Sequence, residues 1–245
     1  MAIFALHDSQ NFYASCHKVF DPSLQGRPVI VLSNGDGCVV ARSQEAKALG
    51  IPMGQPFFQL KDLARRERVR VFSSNYALYG DMSDRVAETL SQVSGRMERY
   101  SIDESFLVLD GLGDRARQEA GREMRDLVLR WTGIPGRVGI GSTKTLAKLA
   151  NDLAKKLPGG VLQLVTEEQL ATHLPAVPVG DLWGVGAATA RRLEALGITT
   201  VAELRAMDRR RARQALGVVG QRIVDELNGT SCLAWRRWRR PGRGG

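Results

Sequence analysis

Cysteine is scarce and unpaired in this 245-residue sequence: Cys16, Cys38 and Cys232 lie far apart with no C-x-x-C spacing. That excludes a disulfide framework and a cysteine zinc site, and it fits a reducing compartment. Histidine is as sparse, and His7, His17 and His173 form no H-E-x-x-H or related pattern, which argues against zinc chemistry. No stretch approaches the ~20 consecutive apolar residues that a bilayer span needs, so a membrane-spanning helix is excluded. The opening segment is apolar for six residues and then stops at His7-Asp8, without the basic start or long apolar stretch of a signal peptide. The expected location is the cytosol. No long-period repeat is present.

Apolar residues make up 43% and charged residues 25%, the balance of a globular chain with a sizeable core rather than a disordered one. The length allows one large domain or two small ones. The net charge is +9, and it is uneven. Residues 180–245 hold 13 basic and 6 acidic side chains, a net of +7, whereas residues 1–179 carry a net of only +2. A nearly neutral body with a basic C-terminal part suits either a polyanion partner or an Arg-rich solvated surface.

Short β-branched runs at 3–6, 28–33, 38–41, 137–141 and 161–164 predict strands, and the alternating segment 99–109 predicts a strand or hairpin. Apolar spacing of three and four predicts helices over 43–49, 75–93, 114–132 and 143–157. Together these predict an α+β or α/β sheet layer up to about residue 165. Beyond it only short helices are predicted, at 167–173, 187–196, 200–207 and 220–227. Thr200 with Glu203 reads as a capping box. Residues 235–245, an Arg/Trp/Gly run, lack apolar periodicity and are expected to be disordered.

Four constellations can carry chemistry. Asp8 ends the first predicted strand, where an acid either ligates a cation or caps the next helix. Asp103 and Glu104 are adjacent inside Tyr100-Ser101-Ile102-Asp103-Glu104-Ser105-Phe106. Neighbouring strand side chains point to opposite faces, so the two acids share a site only at a turn or bulge. The bland reading is a hairpin tip; buried acids require a cation, for which Mg²⁺ with oxygen ligands is suited. On the helix predicted over 143–157, Leu146, Leu149, Ala150, Leu153 and Leu157 share one face. Lys144, Lys148, Asn151 and Lys155 share the other. That second face reads as a solvated lysine surface or as a basic ridge facing phosphates, preceded by Gly139-Ile140-Gly141-Ser142. Finally, Trp183-Gly184-Val185-Gly186 feeds a helix carrying Arg191 and Arg192 and closed by Leu196-Gly197-Ile198. Such a helix–hairpin–helix presents free backbone N–H groups to a phosphate backbone without reading sequence. Leu216-Gly217-Val218-Val219-Gly220 reads as a degenerate second copy.

Taken in order, these pieces resemble one family. The segment from Phe4 through Asp8 and Phe12-Tyr13 to Cys16 is similar to the opening of the bacterial Y-family translesion DNA polymerases of the UmuC type. So are Phe72-Ser73-Ser74-Asn75-Tyr76, Tyr100-Ser101-Ile102-Asp103-Glu104, Thr143-Lys144-Thr145-Leu146-Ala147-Lys148 and Trp183-Gly184-Val185-Gly186. The resemblance runs from residue 3 to about 234. It implies an α+β chain with a ferredoxin-like palm at 1–20 and 77–165 and inserted fingers at 21–76. A small helical thumb with the helix–hairpin–helix follows at 166–234.

The resemblance further implies an error-prone polymerase of the SOS response that adds dNTPs to a primer 3′-hydroxyl. Asp8, Asp103, Glu104 and the Ser9 carbonyl would hold two Mg²⁺ ions. Tyr13 matches the steric gate against a ribonucleotide 2′-hydroxyl, with Phe12 beside it against the sugar. Lys155 matches a phosphate-binding lysine. Gln44 and Lys47 stand where the DinB branch has Tyr and Arg, and Lys offers a point charge rather than a fork. Gly184, Gly186, Arg191 and Arg192 would contact DNA. Implied partners are primer–template DNA, a UmuD-type subunit and RecA. Relatives continue into a little-finger domain and a tail that engages the sliding clamp. The run after Leu233 therefore implies a shortened gene or a fragment, without a little finger and without the means to engage the sliding clamp. Two other readings stay open: a non-catalytic DNA-binding remnant, and a nucleotide cyclase, against which the glycine hairpin argues.

Overall fold

The structure, a computed structural model, describes residues 2–236 except Asn34 and Asp36, together with Trp238. Strand β1 (Phe4–Ser9) turns through Asn11, at a left-handed φ of 51°, into helix α1 (Phe12–Phe20). An inserted unit follows: β2 (Val29–Leu32), β3 (Val39–Arg42), α2 (Gln44–Ala48), α3 (Lys61–Arg66) and β4 (Arg70–Ser73). The chain continues as α4 (Tyr76–Leu90), β5 (Met97–Arg99), β6 (Glu104–Val108), α5 (Asp114–Thr132), β7 (Gly136–Gly141), α6 (Lys144–Ala154) and β8 (Val161–Leu164). It ends in α7 (Glu167–His173), α8 (Ala187–Glu194), α9 (Val201–Ala206) and α10 (Arg209–Leu227).

The main sheet has the order β5-β6-β1-β7-β8, and the inserted unit forms its own sheet, β3-β2-β4. With the insertion set aside, β1-α4-β5-β6-α5-β7 in this order is the ferredoxin-like βαββαβ arrangement. β8 is added parallel to β7 through α6. The α+β class and the ferredoxin-like sheet are as expected. Segment 99–109 resolves into a hairpin, with β5 and β6 antiparallel across the 100–103 turn.

Three large cores, with two smaller clusters beside them, hold the described residues. Ala5, Leu107, Val138 and Ile140 bury one face of the main sheet against Met82, Val86, Met124 and Val128 of α4 and α5. Ile30, Leu32, Val39 and Leu60 form the core of the inserted unit. Leu146, Leu149 and Ala150 of α6 join Leu193, Val201, Leu204 and Leu227 in the helical part.

Most of the polar face expected over 143–157 is neither a solvated lysine surface nor a phosphate ridge but lies on the sheet. Lys155, at the C-cap of α6, is half exposed and borders a cavity with Lys47. Asn151 is buried and donates to the carbonyls of Leu6 and Arg137 at 3.1 and 3.2 Å, and Lys144 is buried beside Glu98. The cause is in β7: a Cβ at Gly139 would overlap Ala147 and Asn151 backbone atoms, and one at Gly141 would meet Leu146 and Ala147. These glycines let helix and strand backbones touch, which is their role here rather than phosphate binding.

A second correction concerns the end of the chain. Trp235, Arg236 and Trp238 are docked, against the expectation of disorder from 235 onward. Trp235 packs on Phe4 at 5.9 Å between ring centroids, the Arg236 N–H donates to Glu98, and the Trp238 N–H donates to the Met97 carbonyl at 2.7 Å. Individual indole rings and backbone donors find partners on β1 and β5 without any apolar period. The rest of the 235–245 segment lies outside the described residues. Among the described residues no helix is long and apolar enough to cross a membrane.

Candidate active site

The expected acids meet at one end of the central strands. Asp8 stands opposite Glu104 in the β1–β6 register and opposite Arg137 in the β1–β7 register. The Ser9 N–H donates to the Asp103 carbonyl at 2.9 Å, which ties the 100–103 turn to the end of β1. Directly opposed antiparallel residues carry side chains on the same face, with Cβ atoms ~4.5–5.5 Å apart. The turn, not the strand, admits Asp103 beside Glu104. Ser101 shapes it: its hydroxyl donates to Asp103 Oδ1 at 2.7 Å and accepts the Glu104 N–H at 3.1 Å.

Each acid has its own partner. Asp8 pairs with Arg137 at 3.1 Å, Glu104 with Lys148 at 2.5 Å, and Asp103 with the Ser101 hydroxyl. In this arrangement no three His, Cys, Asp or Glu side chains among the described residues close around a metal-sized point. The donor set still suits a hard divalent cation, being three carboxylates with the buried Ser9 hydroxyl, which has no partner of its own. Burial pushes the Asp8 carboxyl above its usual range, Arg137 opposes that, and the charges of Glu104 and Asp103 add to it. A carboxylate disfavoured by its neighbours in this way gains from a cation.

Asp8 and Asp103 border a cleft of about 470 Å³ that is also lined by Phe12, Tyr13, Arg42 and Lys47. A cavity of about 440 Å³ shares Lys47 and adds Gln44, Arg137 and Lys155. The expected nucleotide contacts therefore gather around two adjoining spaces. Burial, then the charges of Arg42, Arg137 and Lys155, depress the Lys47 ammonium. Four cations held this close invite an anion. Lys155 caps α6 and pairs with Asp152, and Lys47 donates to Asn11.

Phe12 is buried, whereas Tyr13 is half-buried, stacked on Tyr79 with centroids 3.9 Å apart and planes at 8°. Tyr79 is fixed in turn by its hydroxyl, 2.9 Å from His17 Nε2. One face of Tyr13 thus belongs to the core while the residue also lines the cleft.

Gly184, Gly186, Arg191 and Arg192 lie on the helical part and do not line the cleft that Asp8 and Asp103 border. Gly184 has φ 90°, Gly186 caps α8 without a side chain, and both arginines are exposed. In the second glycine segment, Gly217 at φ 70° breaks α10 into two helices, which is the geometry of a second hairpin.

Arg137 and Arg42 were not among the sequence-derived candidates, and Lys148 was one only as part of the polar face read over 143–157. Strand register alone sets Arg137 against Asp8, and a sequence carries no direct signal of register between strands more than a hundred residues apart. Lys148 had a signal, its place on the polar face of α6, read there as a phosphate ridge.

The sequence model of the impB/mucB/samB family matches residues 7–152. Protein UmuC of Salmonella typhimurium is 49% identical over 94% of this chain and 56% of its own length. DNA polymerase IV of Corynebacterium diphtheriae is 36% identical over 90% of this chain and 49% of its own. The chain thus spans about half the length of the curated relatives it matches. Among solved structures, a post-insertion binary complex of Dbh DNA polymerase superposes with a TM-score of 0.83 at 22% identity, covering 95% of this chain and 69% of that one. The matched stretch holds Asp8, Asp103, Glu104 and the strands that align them, and on that ground the chain belongs to the impB/mucB/samB family.

Proposed function

We propose that this chain is the polymerising part of an error-prone translesion DNA polymerase. It transfers nucleotidyl groups from dNTPs to a primer 3′-hydroxyl under template direction, in SOS damage tolerance in the cytoplasm. The observation that carries the reading is the register that sets Asp8 against Glu104 beside Asp103, at a cleft lined by Tyr13 and Lys47. Family membership and the polymerase relative support it. In these terms residues 1–20 and 77–165 are the palm, 21–76 the fingers and 166–234 the thumb.

The residues divide the work. Asp8, Asp103 and Glu104, with the Ser9 carbonyl, would hold two Mg²⁺ ions. Such ions activate the attacking hydroxyl and neutralise the triphosphate and its leaving pyrophosphate. Lys47, Arg42, Arg137 and Lys155 surround the triphosphate space with positive charge, and Gln44 adds a neutral amide. Tyr13, backed by Tyr79, occupies the volume a 2′-hydroxyl needs, with Phe12 beneath the sugar. Gly184 and Gly186 offer backbone N–H groups, and Arg191 and Arg192 charge, to the phosphates of primer–template DNA. A UmuD-type subunit and RecA are the protein partners this reading implies.

Primer extension with Mg²⁺ and dNTPs at low salt tests the reading. Template-directed extension that Asp103→Asn abolishes supports it. Extension unaffected by Asp103→Asn, or DNA binding with no extension at any divalent ion concentration, overturns it.

A further inference from the structure

Lys148 is held on three sides. Its Nζ donates to Glu104 Oε1 at 2.5 Å, and it sits 5.3 Å from the centroid of the Tyr100 ring and 5.4 Å from that of Trp183. The two rings meet edge to face at 5.6 Å and 84°. The Lys148 and Glu104 side chains are only 18% and 16% exposed. The three contacts come from three parts of the chain. Glu104 opens β6, Tyr100 begins the turn that carries Asp103, and Trp183 precedes the glycine hairpin on the helical part.

Resting on the polymerase reading, we infer that Lys148 is a positioning residue: it is the resident counter-ion of Glu104, and it ties the acid cluster to the glycine hairpin through Trp183. Asp8 has Arg137 and Asp103 has a hydroxyl, so Lys148 is the cation paired with Glu104. A divalent cation arriving among the acids competes with that ammonium for the same oxygens. The displaced ammonium does not have to return to water, because two aromatic rings already flank it, and such faces hold a cation. The side chain therefore has two resting places a short movement apart, and Trp183 borders both. Cation occupancy and the seating of the hairpin are then linked, and linkage runs in both directions. A lysine serving only to pack α6 has no such consequence.

The two roles predict opposite signs. Removing a competitor strengthens cation binding, whereas damaging a structural contact weakens it. Mn²⁺ binding to the whole chain, read from the loss of the free-ion electron paramagnetic resonance signal, decides between them. Lys148→Met should tighten Mn²⁺ by about three- to fivefold, the upper end for an ion pair near the surface. Lys148→Arg, which keeps the charge, should stay within about twofold of the parent.

A W131F/W235F/W238F background leaves Trp183 as the sole tryptophan, since the sequence has four. Its emission should shift on Mg²⁺ addition, and adding Lys148→Met should abolish the shift. Weaker or unchanged Mn²⁺ binding in Lys148→Met, with binding still lost in Asp103→Asn, overturns this inference alone. Absence of Mn²⁺ binding to the parent chain, or binding indifferent to Asp103→Asn, overturns the polymerase reading with it.

Discussion

Glu98 on β5 and Lys144 on α6 meet at 2.6 Å with their side chains 5% and 3% exposed, and the same two groups fasten the end of the chain. Lys144 also donates to the Ala234 carbonyl at 2.7 Å, and Glu98 also accepts the Arg236 N–H at 2.8 Å. Breaking a buried pair strands a charge and costs ~3–5 kcal/mol. Glu98→Ala should therefore lower the unfolding free energy by about that amount in urea titrations. It should also expose Trp235, whose emission would move to the red. Loss of stability with unchanged tryptophan emission would show that the segment is anchored elsewhere.

Tyr13→Ala separates two fates of one ring. A buried core aromatic costs ~3–5 kcal/mol when truncated, but Tyr13 is only half-buried and its Tyr79 contact is one-sided. The expected outcome is a loss of at most about 2 kcal/mol. With it should come a rise of about tenfold or more in ribonucleotide relative to deoxyribonucleotide incorporation, because the excluded volume is gone. Parallel loss of both activities would assign Tyr13 to packing.

His7 gives the chain an acid sensitivity. Its ring is fully buried, neither nitrogen has a partner, and burial followed by the Arg137 charge lowers its pKa to about 4. The unfolded chain binds this proton near pH 6.5, so between those values unfolding takes up a proton and stability falls as pH falls. The loss is ~1.4 kcal/mol per pH unit, or about 2 kcal/mol by pH 5, and is absent above about pH 6.5. Asp8, with its raised pKa, acts in the opposite sense. Comparing the parent with His7→Gln in urea titrations at pH 7 and pH 5 isolates the histidine. Equal pH dependence in the two proteins would mean that His7 is solvated.

The glycines of β7 differ sharply from those in the loops. Gly139→Ala would drive a methyl into the backbone of α6 and should cost at least about 3 kcal/mol or prevent folding, as overpacking does at its upper end. Gly159→Ala meets nothing within 4 Å and should stay within about 0.5 kcal/mol of the parent. Thermal melts of the two variants give the comparison.

DNA binding should follow salt rather than sequence. Each phosphate neutralised contributes a slope of about −0.9 in log K against log salt, so Arg191→Ala and Arg192→Ala should each flatten the plot by ~1. Fluorescence anisotropy on two unrelated primed duplexes measures this. A tight, salt-insensitive complex would remove the hairpin from the interface.

Elements with a strong period or a clear stop were legible in the sequence. Helix α5, strand β8 and helix α7 lie where the pattern puts them. The Thr200 and Glu203 capping box closes both its bonds. Helix α1 went unread because it is only nine residues long and one of its inward positions, Ser15, is polar. Strand β4 was missed for another reason: it is an edge strand of four residues with two exposed. At the site, the acids stood out by motif, but their partners did not. Arg137 owes its place to register and leaves no local signature; Lys148, visible only as part of a polar helix face, owes its pairing to helix rotation on a glycine-cleared strand.

Helix α6 belongs to two interiors at once. Its Asn151 side bonds into the main sheet, and its Leu146, Leu149 and Ala150 side completes the core of the helical part. The line near residue 165 is therefore a boundary in composition but a poor place to cut. A fragment ending there would present a naked leucine stripe to water and would self-associate, while one beginning there would lack a wall of its own core. Any dissection of this chain into separately expressed pieces has to give α6 to both, or leave it whole.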